Sequence, residues 1–207
     1  ARLAVSAAAV AAPHDDLPAS NAVRPQLYAT GFAFAEGPAL DPDGNLFVVN
    51  YRGFGNIGRI ATDGTASIFC DLRELAPVEG RNPSANGLKV DTELRLSAAD
   101  CGAGRLLRIA PDGKRVEVLA DRWEDKRFNS VNDVALDRAG NIYFSDPGGS
   151  SAEKPVGSVY RYDIATGKVT RLATGLAFPN GLAVMPDENR EGLQHFYLAE
   201  CQMHRIL

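Results

Sequence analysis

The stretch Asn132-Asp-Val-Ala-Leu-Asp-Arg-Ala-Gly-Asn-Ile-Tyr-Phe-Ser-Asp146 decides the reading of this chain, because its pattern recurs on both sides. It opens on an oxygen-bearing side chain, runs through apolar residues to an Asp and a turn, and resumes as an apolar run that closes on a second polar residue. Upstream the same order is met in Glu36 to Asp41 followed by Asn45 to Asn50, and in Asn86 to Asp91 followed by Arg95 to Asp100. Downstream it returns as Asn180 to Asp187 and His195 to Glu200. The four openings, Glu36, Asn86, Asn132 and Asn180, are spaced by 50, 46 and 48 residues, a period that marks a repeat architecture.

Within each period lie four short apolar segments rich in Val, Ile, Phe and Tyr, separated by turn residues, which predicts strands rather than long amphipathic helices. The first set is 38–40, 46–49, 58–60 and 66–69, with Asp63-Gly64 as a hairpin signal. The second is 88–90, 94–98, 106–109 and 116–119, with Asp112-Gly113 in the same place. The third is 134–136, 142–144, 159–162 and 169–172, with Thr166-Gly167 there. A fourth set opens at Asn180 and reaches only its third strand. Four strands per repeat of this length describe the blade of an all-β propeller, here about three and a half blades, and a closed ring needs at least two more. The segment from Gln26 to Glu36 matches that from Arg171 to Asn180, so it is expected to be the last strand of a preceding repeat. A helical turn is expected within 71–80, and the charged run from Arg122 to Arg127 reads as a solvated connection.

Length and composition narrow the field. With 207 residues, 45% of them hydrophobic, the chain has the content of a globular domain. A net charge of -4 gives no general attraction for nucleic acid or anionic membranes. Three scattered cysteines make neither a disulfide framework nor a cysteine-rich metal site. The Ala-rich residues 1–12 resemble the end of a secretory signal, which points to a periplasmic or secreted protein, with a cytoplasmic one as the alternative. They are too short to span a bilayer. The expected organisation is a leader and Pro-containing linker over 1–25 and an incomplete propeller domain over 26–207, a fragment of a longer protein.

In a propeller the first strand of each blade lies nearest the axis, so Glu36, Asn86, Asn132 and Asn180 are expected to converge on one mouth of the central channel. One carboxylate and several amide oxygens make a hard, oxygen-only environment suited to Ca2+ and less well to Mg2+. A channel-facing Glu without a cation would carry a desolvation penalty. The alternative is that Asn-Gly and Asn-Asp are turn residues that merely mark blade junctions. Asp100, Asp146 and Glu200, which close second strands, are expected to make structural hydrogen bonds between blades. His195 and His204 lack metal-ligand spacing, Ser145 and Ser150-Ser151 lack a nucleophile-elbow context, and Gly148-Gly149 lacks the helix of a phosphate loop.

The pieces Phe34-Ala-Glu36-Gly-Pro38, Asn129-Ser-Val-Asn132-Asp133, Ile142-Tyr-Phe-Ser-Asp146-Pro147 and Phe178-Pro-Asn180-Gly-Leu182 together resemble the gluconolactonase/regucalcin family of six-bladed, calcium-dependent propellers. The resemblance implies that Glu36 and Asn180 are metal ligands. It also implies that Asn132 lies beside the metal, orienting substrate or water and serving as a further ligand and catalytic candidate. Asn86 matches a channel-facing, substrate-binding Asn of some members. One branch of that family carries Arg two residues before the Asn corresponding to Asn132. Here that position is Ser130, which is left as a substrate-binding candidate without the role of the Arg. The family's catalytic Asp, in a later Asp-Gly motif, is expected beyond Leu207, so this chain alone is expected to be inactive.

The function this implies is calcium-dependent hydrolysis of a sugar lactone or similar small cyclic ester, with Mg2+, Zn2+ and Mn2+ as alternative ions. The expected partner is a small-molecule substrate, with no nucleic acid and no membrane. The alternatives are a non-catalytic binding propeller and a metal-dependent esterase of another substrate class.

Overall fold

Short runs of β-branched and aromatic residues, separated by Asp-Gly and Asp-x-x-Gly reversals, pair with their immediate neighbours in sequence and build meanders. The computed structural model, which describes residues 22–52, 55–186 and 194–207, contains four such sheets in succession. The first blade is β1 (Ala35–Leu40), β2 (Leu46–Asn50), β3 (Asn56–Ile60) and β4 (Ala66–Cys70). A short helix, α1 (Leu72–Leu75), leads into the second blade, β5 (Ala85–Val90), β6 (Leu96–Asp100), β7 (Arg105–Ile109) and β8 (Val116–Ala120). A small hairpin of β9 (Arg122–Trp123) and β10 (Lys126–Arg127) precedes the third blade, β11 (Val134–Leu136), β12 (Ile142–Asp146), β13 (Gly157–Tyr162) and β14 (Val169–Leu176). The fourth sheet is β15 (Pro179–Pro186), β16 (Gln194–Glu200) and β17 (Arg205–Ile206). In each blade the strands are antiparallel and ordered as in sequence. The all-β propeller, with three complete blades and a fourth that reaches its third strand, is the architecture the repeat predicts.

Burial changes across each blade in the way radial stacking requires. The middle strands are covered on both faces, so β6 is buried at every residue, whereas the outer strand β8 is buried at none. The core is divided into layers between successive blades. Phe47, Val49 and Ile57 of the first blade meet Leu88, Leu96 and Leu107 of the second. Ala99 and Leu106 of the second meet Val134, Ile142 and Phe144 of the third, with Phe128 wedged edge-on against Phe144 at 5.1 Å. Ala135 and Val159 of the third meet Leu182 and Leu198 of the fourth. Each fully buried aliphatic or aromatic side chain contributes about 1.5–3 kcal/mol of transfer free energy, so every blade depends on its neighbour.

Near the axis the blades come closer still. A Cβ on Gly37 would lie 1.9 Å from the carbonyl oxygen of Asn86, and one on Gly87 would lie 2.6 Å from Cα of Asp133. The amide of Gly87 donates to the carbonyl of Asn132 at 2.9 Å. This contact explains the Asn-Gly pairs better than turn chemistry does. Asn86-Gly87 and Asn180-Gly181 both lie inside strands, at irregularities in register between Ala85 and Leu88 and between Pro179 and Leu182. The irregularity between Glu36 and Ala39 in β1 is the same feature. The turn reading of these dipeptides is therefore overturned.

Other expectations also change. Among the described residues no strand is assigned from Gln26 to Phe34; a strand requires a ladder partner, and this segment is held instead by isolated bonds such as Tyr28 Oη to the carbonyl of Ala61 at 3.3 Å. The run from Arg122 to Arg127 is a hairpin rather than a plain connection, anchored where the Arg171 guanidinium stacks 4.0 Å over the Trp123 ring. Leu94 is not in a strand but occupies a left-handed turn position at φ 59°. The expected helical turn is α1, whose N-cap Asp71 accepts the amide of Arg73. The signal-like leader at 1–12 and most of the linker lie outside the described residues.

The close approach at Gly87 generates a direct test. Gly87→Ala should destabilise the protein by about 1–3 kcal/mol in denaturant unfolding, the usual penalty of overpacking. Gly181→Ala, whose added Cβ meets nothing nearer than 3.8 Å, should be close to neutral. Equal effects at the two positions would contradict the interblade contact.

Candidate functional site

Register irregularities at the start of the inner strands of the first, second and fourth blades re-aim the side chains that open those repeats, as bulges do. Glu36 (β1), Asn86 (β5), Asn132 (just before β11) and Asn180 (β15) consequently line one cavity of ≈ 270 Å³. Gly37, Pro38, Gly87, Leu88, Lys89 and Asp133 complete its wall. All four opening side chains are half-buried, and none is engaged in a hydrogen bond or ion pair among the described residues. Their oxygens are therefore left available to a ligand or to water in the cavity.

Their backbones, by contrast, are pinned. Gly37 backs onto the carbonyl of Asn86, the amide of Gly87 holds the carbonyl of Asn132, and Ser145 Oγ donates to the carbonyl of Asn180 at 2.8 Å. The polar residue closing each second strand adds a clamp on the chain that enters the inner strand. Asn50 Oδ1 accepts the amide of Ala33 at 2.7 Å, and Asp100 Oδ1 accepts that of Ser84 at 2.9 Å. Asp146 takes the amides of Asn129 and Ser130, both at 2.9 Å, and Glu200 Oε1 takes that of Ala177 at 2.7 Å. Asp100, Asp146 and Glu200 therefore make structural bonds, but within their own blades rather than between blades as expected, because the end of each second strand lies beside the chain that enters the first; Asn50 does the same. Two of the acids are further held by arginines at the start of the third strand: Arg105 Nε donates to Asp100 at 2.8 Å and Arg205 Nε to Glu200 at 2.7 Å. Burial raises the pKa of Asp146, opposed by the amides of Ser130 and Asn129. Each clamp lies two or three residues ahead of a cavity residue, so the rigid part of the repeat sets the position of the free part.

Ser130 is placed differently from the other candidates. Its amide belongs to the Asp146 clamp, and its side chain is not part of the cavity wall.

Two charged wall residues, Asp133 and Lys89, were not among the sequence candidates. Asp133 Oδ2 accepts the amide of Leu182 at 2.9 Å, linking the third blade to the fourth, while Oδ1 faces Gly87. Burial pushes the pKa of Asp133 up; the Leu182 amide and the Lys89 ammonium oppose the rise, and the charge of Glu36 adds to it. The signal for Asp133 is the replacement of Gly by Asp after the opening Asn in this one repeat. Lys89 is the second, and its signal is treated below.

The donors facing the cavity are thus two carboxyl groups and three carboxamides, with one ammonium and neither His nor Cys. Oxygen donors of this kind, with mutual repulsion between two carboxylates, fit a hard divalent cation. Glu36, Asn132 and Asn180, with Asn86 on the neighbouring blade, are the residues able to hold it. Among the described residues there is no separate group of three or more His, Cys, Asp or Glu side chains suited to a metal.

Known proteins share this sequence pattern and fold. Residues 114–207 match the family model described as the SMP-30/gluconolactonase/LRE-like region. The chain is 27% identical over 177 residues to a gluconolactonase of Zymomonas mobilis, covering 80% of this chain and 49% of that protein. It is 30% identical over 166 residues to the diisopropyl-fluorophosphatase of Loligo vulgaris, covering 72% of this chain and 51% of that protein. Among solved structures, a gluconolactonase from Xanthomonas campestris superposes with a TM-score of 0.68 at 28% identity, over 84% of this chain and 57% of that one. The chain spans about half the length of the curated relatives it matches. Residues 114–207 thus carry the SMP-30/gluconolactonase/LRE-like region, and the same blade pattern runs back from them to Ala35.

Proposed function

We propose that this chain is the cation-holding and substrate-orienting part of a hydrolase that opens a sugar lactone or similar small cyclic ester. The observation that carries the reading is the gathering of Glu36, Asn86, Asn132 and Asn180, side chains without internal partners, around one cavity. The similarity to gluconolactonases from two organisms supports the reaction class.

The donor set favours Ca2+. It offers oxygen alone, in the mixture of carboxylate and amide that calcium accepts with flexible geometry. Zn2+ is the least suited of the alternatives, because it draws on His and Cys ligands that the cavity wall lacks. Mg2+ and Mn2+ share the preference for oxygen, and Mg2+ demands a stricter octahedron.

A bound divalent cation supplies Lewis acidity toward an ester carbonyl. Glu36 and Asn180 hold that charge from blades on opposite sides of the second and third. Asn132, with its backbone carbonyl fixed by Gly87, presents its carboxamide to substrate or to water, and Asn86 presents another from the adjacent blade. Preorganised dipoles of this kind act without reorientation during the reaction, which is the source of most of their catalytic effect. The carboxylate that activates water is assigned, on the family resemblance, to a residue beyond Leu207.

A second reading, hydrolysis of an organophosphorus ester at the same site, is favoured by the similarity to the squid diisopropyl-fluorophosphatase. It uses the same residues and differs only in substrate.

The reading is tested with protein from the complete gene, by following gluconolactone hydrolysis in a pH-stat and subtracting the spontaneous rate. Turnover should require calcium and fall at least about tenfold with a chelator, and Asn132→Ala should lower kcat by about 10²-fold, as for loss of one preorganised donor. A folded protein that binds calcium but gives no turnover above background would remove gluconolactone, and hydrolysis of a phosphotriester by that protein would select the second reading.

A further inference from the structure

Alignment of the four inner strands by their opening residues exposes one position that breaks the pattern. Three residues after Glu36, Asn132 and Asn180 stand Ala39, Ala135 and Ala183; three residues after Asn86 stands Lys89. In the first and third blades the small side chain is buried against the next blade, Ala39 in the layer with Leu88 and Ala135 in the layer with Leu182. In the second blade the position carries a long cation instead, half-buried and on the wall of the cavity.

Among the described residues Lys89 makes no ion pair and no hydrogen bond. Its nearest carboxyl neighbour across the blade junction, Asp133, senses its charge but is bonded elsewhere: Oδ2 takes the amide of Leu182 and Oδ1 packs against Gly87. Lys89 is also the one basic residue lining the cavity among the described residues. Lys89 is partly exposed, and an Ala here would serve packing as it does in the first and third blades. A cation on the cavity wall in place of that Ala is a feature of the site rather than of the packing.

Resting on the hydrolase reading above, we infer that Lys89 is a specificity residue that selects substrates bearing a carboxylate in addition to the reacting ester, that is, acidic sugar lactones over neutral ones. A compact ammonium on a flexible stem is suited to recognise such a group as a point charge. Its position on the second blade, three residues along β5 from Asn86, puts it on the wall of the same cavity as the opening residues. The reacting carbonyl would then lie among Glu36, Asn132 and Asn180, and the second carboxylate would reach across the cavity to Lys89. The two negative groups of the wall, Glu36 and Asp133, make an adventitious anion unwelcome, so binding of a dianion depends on Lys89 and on the cation at the mouth together.

The test compares binding of two six-carbon sugar acids, D-glucarate with two carboxylates and D-gluconate with one, by isothermal titration calorimetry in calcium-containing buffer. Wild-type protein should bind glucarate about tenfold more tightly than gluconate. Lys89→Ala, a residue the repeat already accepts at this place, should bring that ratio to within about twofold of one with gluconate affinity little changed, and Lys89→Arg should retain most of the preference. Circular dichroism and the unfolding midpoint of each variant confirm that it folds. An unchanged ratio in Lys89→Ala, loss of both anions together, no preference in the wild type, or no saturable binding of either acid would each overturn the inference. A Lys89-dependent preference in a protein without lactone turnover would sink the hydrolase reading while sustaining the anion site; turnover without the preference would do the reverse.

Discussion

No blade of this protein is able to bury its own two faces. A four-stranded antiparallel meander presents apolar side chains above and below, and here each face is covered only by the next blade in sequence, in layers such as Val49 and Ile57 against Leu88 and Leu107. Stacking repeats to obtain a core is the general solution of repeat proteins, and its consequence here is that the inner strands are forced into near contact around an axis. At that radius there is no room for a Cβ on Gly37 or Gly87. The site exists because the same constraint that builds the core also delivers one opening residue from each blade to one cavity.

The division of labour within each repeat follows from this. The polar residue at the end of the second strand accepts main-chain amides and fixes the chain just ahead of the inner strand, and in Asp100, Asp146 and Glu200 it is buried. The polar residue that opens the inner strand has its backbone held and its side chain free, at a register irregularity in the first, second and fourth blades and just ahead of the strand in the third. Asp146 and Asn132 show the contrast most plainly: the first accepts two amides at 2.9 Å, while the second contributes only its main chain to the fold. A rigid scaffold supporting unsatisfied oxygen donors is the arrangement that binding a cation requires, since the donors need not be gathered at the moment of binding.

Much of this was legible in the sequence, and the reasons for the rest are specific. The spacing of Glu36, Asn86, Asn132 and Asn180 exposed the blades, their strand order and the convergence of the four residues, because a repeat states the same geometry several times. The meaning of Gly87 was hidden, since Asn-Gly carries the same signature in a turn as in a strand where another backbone passes close by. Asp133 and Lys89 were missed for a related reason: each departs from the repeat, and their value lies in a contact between blades that spacing along one strand does not reveal. The segment from Gln26 to Phe34 resembles a strand by similarity to Arg171 and its successors, yet strand formation depends on a partner that local sequence does not specify. Ser130 matched a motif position, but the bond of its amide to Asp146 belongs to the clamp rather than to the cavity wall.

The central claim is that the ring of opening residues is a cation site with Glu36 as its charged ligand. The most direct measurement is a calorimetric titration with calcium of the protein from the complete gene and of its Glu36→Gln variant, which keeps the size of the side chain and removes its charge. The account predicts saturable binding at one site near the channel mouth and a loss of at least about tenfold in affinity on substitution, as ligand charge governs calcium affinity. Equal affinity in the two proteins would contradict it, and would take Glu36 out of the coordination sphere.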